Sequence, residues 1–162
     1  MKKKHLEMYM AIAEAVASTS SAIRLKVGAV AVKGNMVIGT GYNGLASGID
    51  GACENKIYMK GAGAWLDPSL IEKEYPYTFN GERYKLETRP EVHHAEKNLI
   101  INLAKSTESS NGCSIFLTHS CCADCSRMLL DAGIEKLYYR NDYRSDEGLK
   151  YLKSNSVEVI KL

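Results

Sequence analysis

Apolar positions along the chain follow two periods, and the change between them marks the elements. Leu6, Met10, Ala13 and Ala17 recur at helical spacing. They predict a first helix over 5–18 that stops in the Ser/Thr cluster at 18–21. Two short apolar runs follow, Val27–Val32 and Met36–Gly39, on either side of Lys33-Gly34-Asn35. That pattern predicts a β-hairpin. From residue 92 the chain becomes regular again. A helix is expected over 94–105, with Ala95, Leu99 and Leu103 along one side, and a strand over 113–118. A second helix follows over 121–132, with Gly133 placed as its C-terminal stop. Strand 134–140, helix 145–153 and strand 157–161 complete the pattern. A hairpin followed by alternating helix and strand predicts an α/β fold of three layers, α/β/α. Its central sheet is mixed and has about five strands.

Two stretches interrupt this order. The glycine-dense segment GTGYNGLASG, residues 39–48, is expected to be a loop whose backbone approaches something closely or needs positive φ. Residues 49–90 hold every proline (Pro68, Pro76, Pro90) and the only tryptophan, Trp65. They are expected to form an irregular insertion, with a short helix near 69–75, within a single domain of 162 residues.

Composition narrows the function classes. The apolar fraction of 45% and charged fraction of 25% are those of an ordinary globular domain. A net charge of +2 gives no basic face for a nucleic-acid strand, so no nucleic-acid partner is expected. No window approaches the roughly 20 apolar residues of a membrane span. The basic start, MKKKHLEMYM, looks superficially like a targeting leader, but Glu7 and Glu14 interrupt the apolar stretch and favour an amphipathic helix. Lys2 to Lys4 read as a solvated terminus. Of five cysteines, three crowd into Cys121, Cys122 and Cys125. Such spacing suits metal ligation in a reducing compartment better than a disulfide framework, so a cytoplasmic location is expected.

The candidate chemistry lies in two short segments. His94 and Glu96 stand near one predicted helix start, and Cys122 and Cys125 stand at another. A three-residue spacing puts both sulfurs on one side of a helical turn. One imidazole and two thiolates supply three ligands for tetrahedral zinc and leave the fourth position to water. An open position of this kind belongs to catalytic zinc, and water there becomes acidic near neutral pH. Glu96 does not ligate in this arrangement; it is placed to carry a proton. The pattern resembles the signature of zinc deaminases, H-x-E with a later P-C-x-x-C, in all but the proline.

The motifs KVGAV at 26–30, GYNG at 41–44, HAEKN at 94–98 and SCCADC at 120–125, with the pair Asp142-Tyr143, are carried by this chain. With them it resembles the cytidine deaminase superfamily, and within it the deoxycytidylate (dCMP) deaminases of phage type. The resemblance runs from about residue 18 to the end and is weakest over 49–90. It implies the cytidine-deaminase-like fold, Zn2+ held by His94, Cys122 and Cys125, and Glu96 as the proton shuttle. It places Asn43 on the substrate sugar, and the backbones of Ala95 and Ser120 on the pyrimidine. Arg24 or Lys26 would meet the 5′-phosphate. It further implies hydrolysis of dCMP to dUMP and ammonia, feeding dTTP synthesis. Activation by dCTP and inhibition by dTTP, each with Mg2+, would occur at a second site near Asn43, Gly44, Lys56 and Tyr143, in a homo-oligomer, typically a hexamer.

One departure stands out. The family pattern carries proline directly before the first cysteine, where this chain has Cys121. Proline would suit a helix start, and its replacement leaves Cys121 and Cys122 competing as ligand; the C-x-x-C spacing favours Cys122. Other residues have plainer readings: Cys113 as core, His93 as a surface or supporting residue, Tyr138 and Tyr139 as pocket wall or as alternating strand burial. A second zinc could draw only on His5, Cys53 and His93, which share no ligand spacing. Competing functions are deamination of dCTP or of another cytosine or adenine substrate, and a structural-zinc interaction module without catalysis.

Overall fold

The structure is a computed structural model that describes residues 1–59 and 67–162, so Trp65 lies outside the described residues. Its elements are α1 (Lys3–Ser18), β1 (Gly28–Lys33), β2 (Met36–Tyr42), β3 (Glu54–Tyr58), α2 (Pro68–Glu74), β4 (Tyr77–Phe79) and β5 (Glu82–Thr88). There follow α3 (Ala95–Ala104), β6 (Ser114–His119), α4 (Ala123–Asp131), β7 (Lys136–Asn141), α5 (Glu147–Ser154) and β8 (Glu158–Lys161). Five strands form the main sheet in the order β2-β1-β6-β7-β8. β1 runs antiparallel to both β2 and β6, whereas β6, β7 and β8 are parallel. The helices α4 and α5 supply the crossovers that parallel neighbours require. The mixed five-stranded sheet between helices is the architecture expected from the sequence.

Alternation along the strands divides the core into two layers. Val30 and Val32 of β1, Phe116 of β6 and Tyr138 of β7 face α1, where Tyr9, Met10 and Ala13 cover them. Ala29, Ala31, Ile115, Leu117 and Leu137 face the other way, onto Leu99 and Leu103 of α3, Leu129 of α4 and Leu149 and Leu152 of α5. Strands buried on both faces read as continuous apolar runs, which is why β1 and β6 stand out in the sequence. Tyr138 stacks on Phe116 at 4.7 Å between centroids, so β7's tyrosines alternate into the two core layers.

Two expectations change. The glycine-dense segment is not all loop: its first half continues β2 to Tyr42. A Cβ on Gly41 would lie 2.5 Å from the Ala95 carbonyl oxygen and 2.4 Å from the Leu99 nitrogen, so α3 is pressed against β2's backbone there. The glycine marks a close approach within a strand. Nor is the insertion irregular. Beside α2, close to the expected short helix, it contains an antiparallel sheet of order β3-β5-β4. Asn80 (φ 49°) and Gly81 (φ 81°) join β4 to β5 in a two-residue turn with both residues left-handed, the backbone for which Asn-Gly is preferred.

Candidate metal centre and catalytic cleft

Both segments singled out in the sequence end at helix N-termini. His94 is the N-cap of α3 and Cys122 the N-cap of α4, each in extended conformation. The Cys122 sulfur also accepts from the Cys125 N–H, at 3.5 Å. Helix α4 therefore starts at Ala123, two residues later than the sequence pattern predicts, and Cys121 precedes the cap. Its side chain is fully buried in the core formed with α3, α4 and α5. Burial pushes the Cys121 thiol up to about 12, so it is neither ionised nor in the cleft.

His94, Cys122 and Cys125 present one ligand atom each, all within 4.8 Å of one another, and they are the only such group among the described residues. The His94 Nδ1 lies 3.6 Å from the Cys122 sulfur and 3.4 Å from the Cys125 sulfur. Tetrahedral zinc with bonds of roughly 2.05 Å to nitrogen and 2.3 Å to sulfur separates those atoms by about 3.6 Å. The residues thus fit the metal in number, kind and spacing. Charge points the same way. Hydrogen bonds from Cys125 and His94 hold the Cys122 thiol down to about 3. The ionised Cys122 in turn raises the Cys125 thiol, with burial adding to the effect, and raises the His94 imidazole. Two cysteine sulfurs at the α4 N-terminus, of which only Cys122 is held ionised by its neighbours, call for a cation that lets both ionise.

Glu96 lies in the first turn of α3 and is 4% exposed. Burial pushes its carboxyl up to about 7, opposed by its own backbone N–H and by His94. A buried carboxyl that titrates near neutrality beside a three-ligand cluster is equipped to give and take protons.

His94, Cys122 and Glu96 open onto a cleft of about 520 Å3 that Arg24, Asn43, Ala95, Ser120 and Tyr143 also line. Not every expected residue reaches it in the expected way. Asn43 faces the cleft, but its Oδ1 accepts from the Val27 N–H at 2.8 Å and its Nδ2 donates to the Leu25 carbonyl at 2.8 Å. Its amide thereby fixes the segment before β1. Ser120 receives the Tyr143 N–H at 2.8 Å, which anchors the chain after β7 over the cleft. Lys26 points away and donates to the Ser18 carbonyl. Arg144, which no sequence motif singled out, lines the cleft, with its guanidinium on the Tyr143 ring and hydroxyl. Neither Arg24 nor Arg144 forms an ion pair among the described residues.

The four residues expected at an effector site are not brought together. Gly44 lines a second cleft of about 460 Å3 with Ser21, Ser47, His93, Asn102 and Lys105. Asn43 and Tyr143 line the catalytic cleft instead. Lys56 sits on the small sheet, with its ammonium 4.5 Å from the Phe79 centroid and 5.1 Å from that of Tyr84. His5, Cys53 and His93 form no cluster. The Cys53 sulfur meets the Ser21 hydroxyl at 3.2 Å, and the His93 Nδ1 meets the Asn98 side-chain oxygen at 3.1 Å.

Comparison with known proteins agrees with the geometry. Residues 3–141 match the model of the cytidine and deoxycytidylate deaminase zinc-binding region. The chain is 31% identical to the deoxycytidylate deaminase of Enterobacteria phage T2 over 151 residues, covering 82% of this chain and 77% of the phage protein. It is 29% identical over 140 residues to ComE operon protein 2 of Bacillus subtilis, covering 86% of this chain; it spans 60% of that protein's length. Among solved structures, the dCMP deaminase of cyanophage S-TIM5, in complex with dCMP and dUMP, superposes with a TM-score of 0.78 at 36% identity, covering 100% of this chain and 99% of that one. A mixed sheet between helices, a zinc-sized triad at two helix N-termini and a buried glutamate beside it converge with these matches: the chain belongs to the cytidine and deoxycytidylate deaminase family.

Proposed function

We propose that the protein hydrolyses dCMP to dUMP and ammonia, and so feeds dTTP synthesis. One observation carries the reading: His94 and Cys122 of a triad spaced for zinc, a buried carboxyl and two arginines that form no ion pair among the described residues share one cleft. Zinc held by His94, Cys122 and Cys125 supplies Lewis acidity and water ionisable near neutral pH. Glu96 carries one proton of the attacking water to the ring nitrogen N3 and the other to the departing amino nitrogen, so that water and dCMP become dUMP and ammonia. The backbones at Ala95 and Ser120 hold the pyrimidine, and Asn43 sets the sugar-facing wall. Arg24 and Arg144, which line the same cleft, meet the 5′-phosphate; the fork of a guanidinium matches phosphate oxygens. A cleft of this size takes a mononucleotide. The test is a comparison of kcat/KM for dCMP, dCTP, deoxycytidine and a cytosine-containing oligonucleotide. We expect dCMP to exceed deoxycytidine by at least about 100-fold, the effect of losing charged hydrogen bonds. Equal rates on the nucleoside would remove the phosphate from the reading.

A second element of the reading is control by nucleotides in an oligomer, a hexamer, in the cytoplasm. It is supported by the second cleft and by how it meets the first. His93 lines the second cleft and His94, the next residue, the catalytic one. Main-chain hydrogen bonds of 2.9 and 3.0 Å tie His93 to Gly44. A ligand that shifts the 44–51 loop therefore pulls on a metal ligand's neighbour. We expect dCTP with Mg2+ to raise dCMP turnover and dTTP with Mg2+ to lower it. A rate indifferent to both would remove the regulatory element and leave the catalytic one standing.

A further inference from the structure

Glu54 opens β3 and is only 7% exposed, yet it reaches no cation among the described residues. Its carboxylate oxygens instead accept the backbone N–H of Ile23, at 3.1 and 3.2 Å, and that of Arg24, at 3.2 Å. Directly across the β3–β5 ladder from Glu54 stands Thr88. The Thr88 hydroxyl accepts from the Arg24 Nη1, at 3.4 Å. Two facing residues of the small sheet thus hold Arg24 at both ends, one by its main chain and one by its guanidinium. The Asn43 amide holds the far end of the segment, at the Leu25 carbonyl and the Val27 N–H. Ile23 is 61% exposed and Leu25 40% exposed, so apolar burial contributes little to holding residues 23–25 in place. A carboxylate withdrawn from water is costly unless it is hydrogen-bonded, and here its bonds all go to the segment that carries Arg24 into the catalytic cleft. Because the charge is satisfied by peptide N–H groups, the Arg24 guanidinium is left to bind an anion.

We propose that Glu54 is a positioning residue for recognition of the substrate phosphate, acting through Arg24, and that the sheet formed by β3, β5 and β4 is a specificity element selecting nucleotides over nucleosides. The proposal rests on the reading that Arg24 meets the phosphate. On this account the insertion braces the segment at Ile23 and Arg24, while Asn43 after β2 braces it at Leu25 and Val27.

The test compares wild type with Glu54→Gln, Thr88→Ala and Arg24→Ala. For each, kcat and KM for dCMP are measured together with the inhibition constants of dUMP and deoxyuridine and the zinc content. Glutamine keeps the shape of Glu54 but turns an N–H donor toward the backbone N–H groups. We expect Glu54→Gln to raise the KM for dCMP and weaken dUMP binding about tenfold, the scale of one lost charged hydrogen bond. The kcat, zinc content and deoxyuridine binding should stay within about twofold of wild type. Thr88→Ala, which disturbs no buried group, should shift the same two constants in the same direction by about two- to threefold. Equal weakening of dUMP and deoxyuridine, or loss of zinc, in Glu54→Gln would mean that Glu54 supports the whole cleft or touches the sugar, and would overturn the proposal. Unchanged dUMP binding in both Glu54→Gln and Thr88→Ala would overturn it too. If Arg24→Ala leaves the preference for dUMP over deoxyuridine intact, the phosphate reading itself fails at Arg24, and that outcome is distinct from a failure at Glu54 alone.

Discussion

Replacing Glu96 by glutamine is expected to lower kcat for dCMP by about 100- to 10,000-fold while zinc stays bound. General acid–base groups contribute on that scale. Glutamine keeps the size and polarity of the side chain at a position 4% exposed, so the first turn of α3 and the His94 cap should survive. What disappears is the ability to hold a proton and release it again. The pairing of outcomes matters more than the size of the loss. A structural zinc module would keep its metal, its fold and its full behaviour in the variant, because Glu96 is no member of the ligand triad. A measurement of zinc content alongside turnover separates the two: metal retained with turnover lost is the pattern of a proton shuttle.

The second large effect lies in adjacent cysteines that differ in fate. Cys122→Ala should bring zinc affinity down by more than the roughly 10- to 100-fold that losing a group behind a ligand brings, and activity should fall with it. The same substitution removes the sulfur that accepts the Cys125 N–H, so the α4 cap weakens as well. Cys121→Ala should leave zinc content and kcat near wild type. Its sulfur is buried among core side chains, and its loss should lower stability by about 1 kcal/mol through the small cavity it leaves. Zinc titration and thermal unfolding of the two variants check this directly. Full zinc and activity in Cys122→Ala would move the ligand to Cys121 and contradict the geometry.

Much of the fold and of the metal centre is legible in the residues because the strong signals are strictly periodic or strictly spaced. The apolar run Val27–Val32, and Leu99 and Leu103 four apart on α3, mark the central strand and the helix that pack together. The ligand triad is legible because a C-x-x-C at a helix cap leaves little freedom. The misreadings have physical causes. Glycine at 39 and 41 signals close approach as readily as a loop, and here the partner is α3. In the insertion, three prolines draw attention away from Asn80-Gly81, the local signal that places the β4–β5 hairpin. Lys26 and Arg24 lie two apart before a strand, and only the Glu54 and Thr88 contacts, more than 25 residues distant, decide that Arg24 lines the cleft. Arg144 carries no pattern of its own; the Tyr143 beside it is the available pointer.

The most direct measurement is the conversion of dCMP by the zinc-loaded protein, with dUMP and ammonia quantified together before chelation, after chelation and after zinc is restored. The expected result is equal release of dUMP and ammonia that disappears with the metal and returns with it. A protein that holds stoichiometric zinc, is folded, and releases neither product from dCMP, with or without dCTP and Mg2+, would contradict the proposed function.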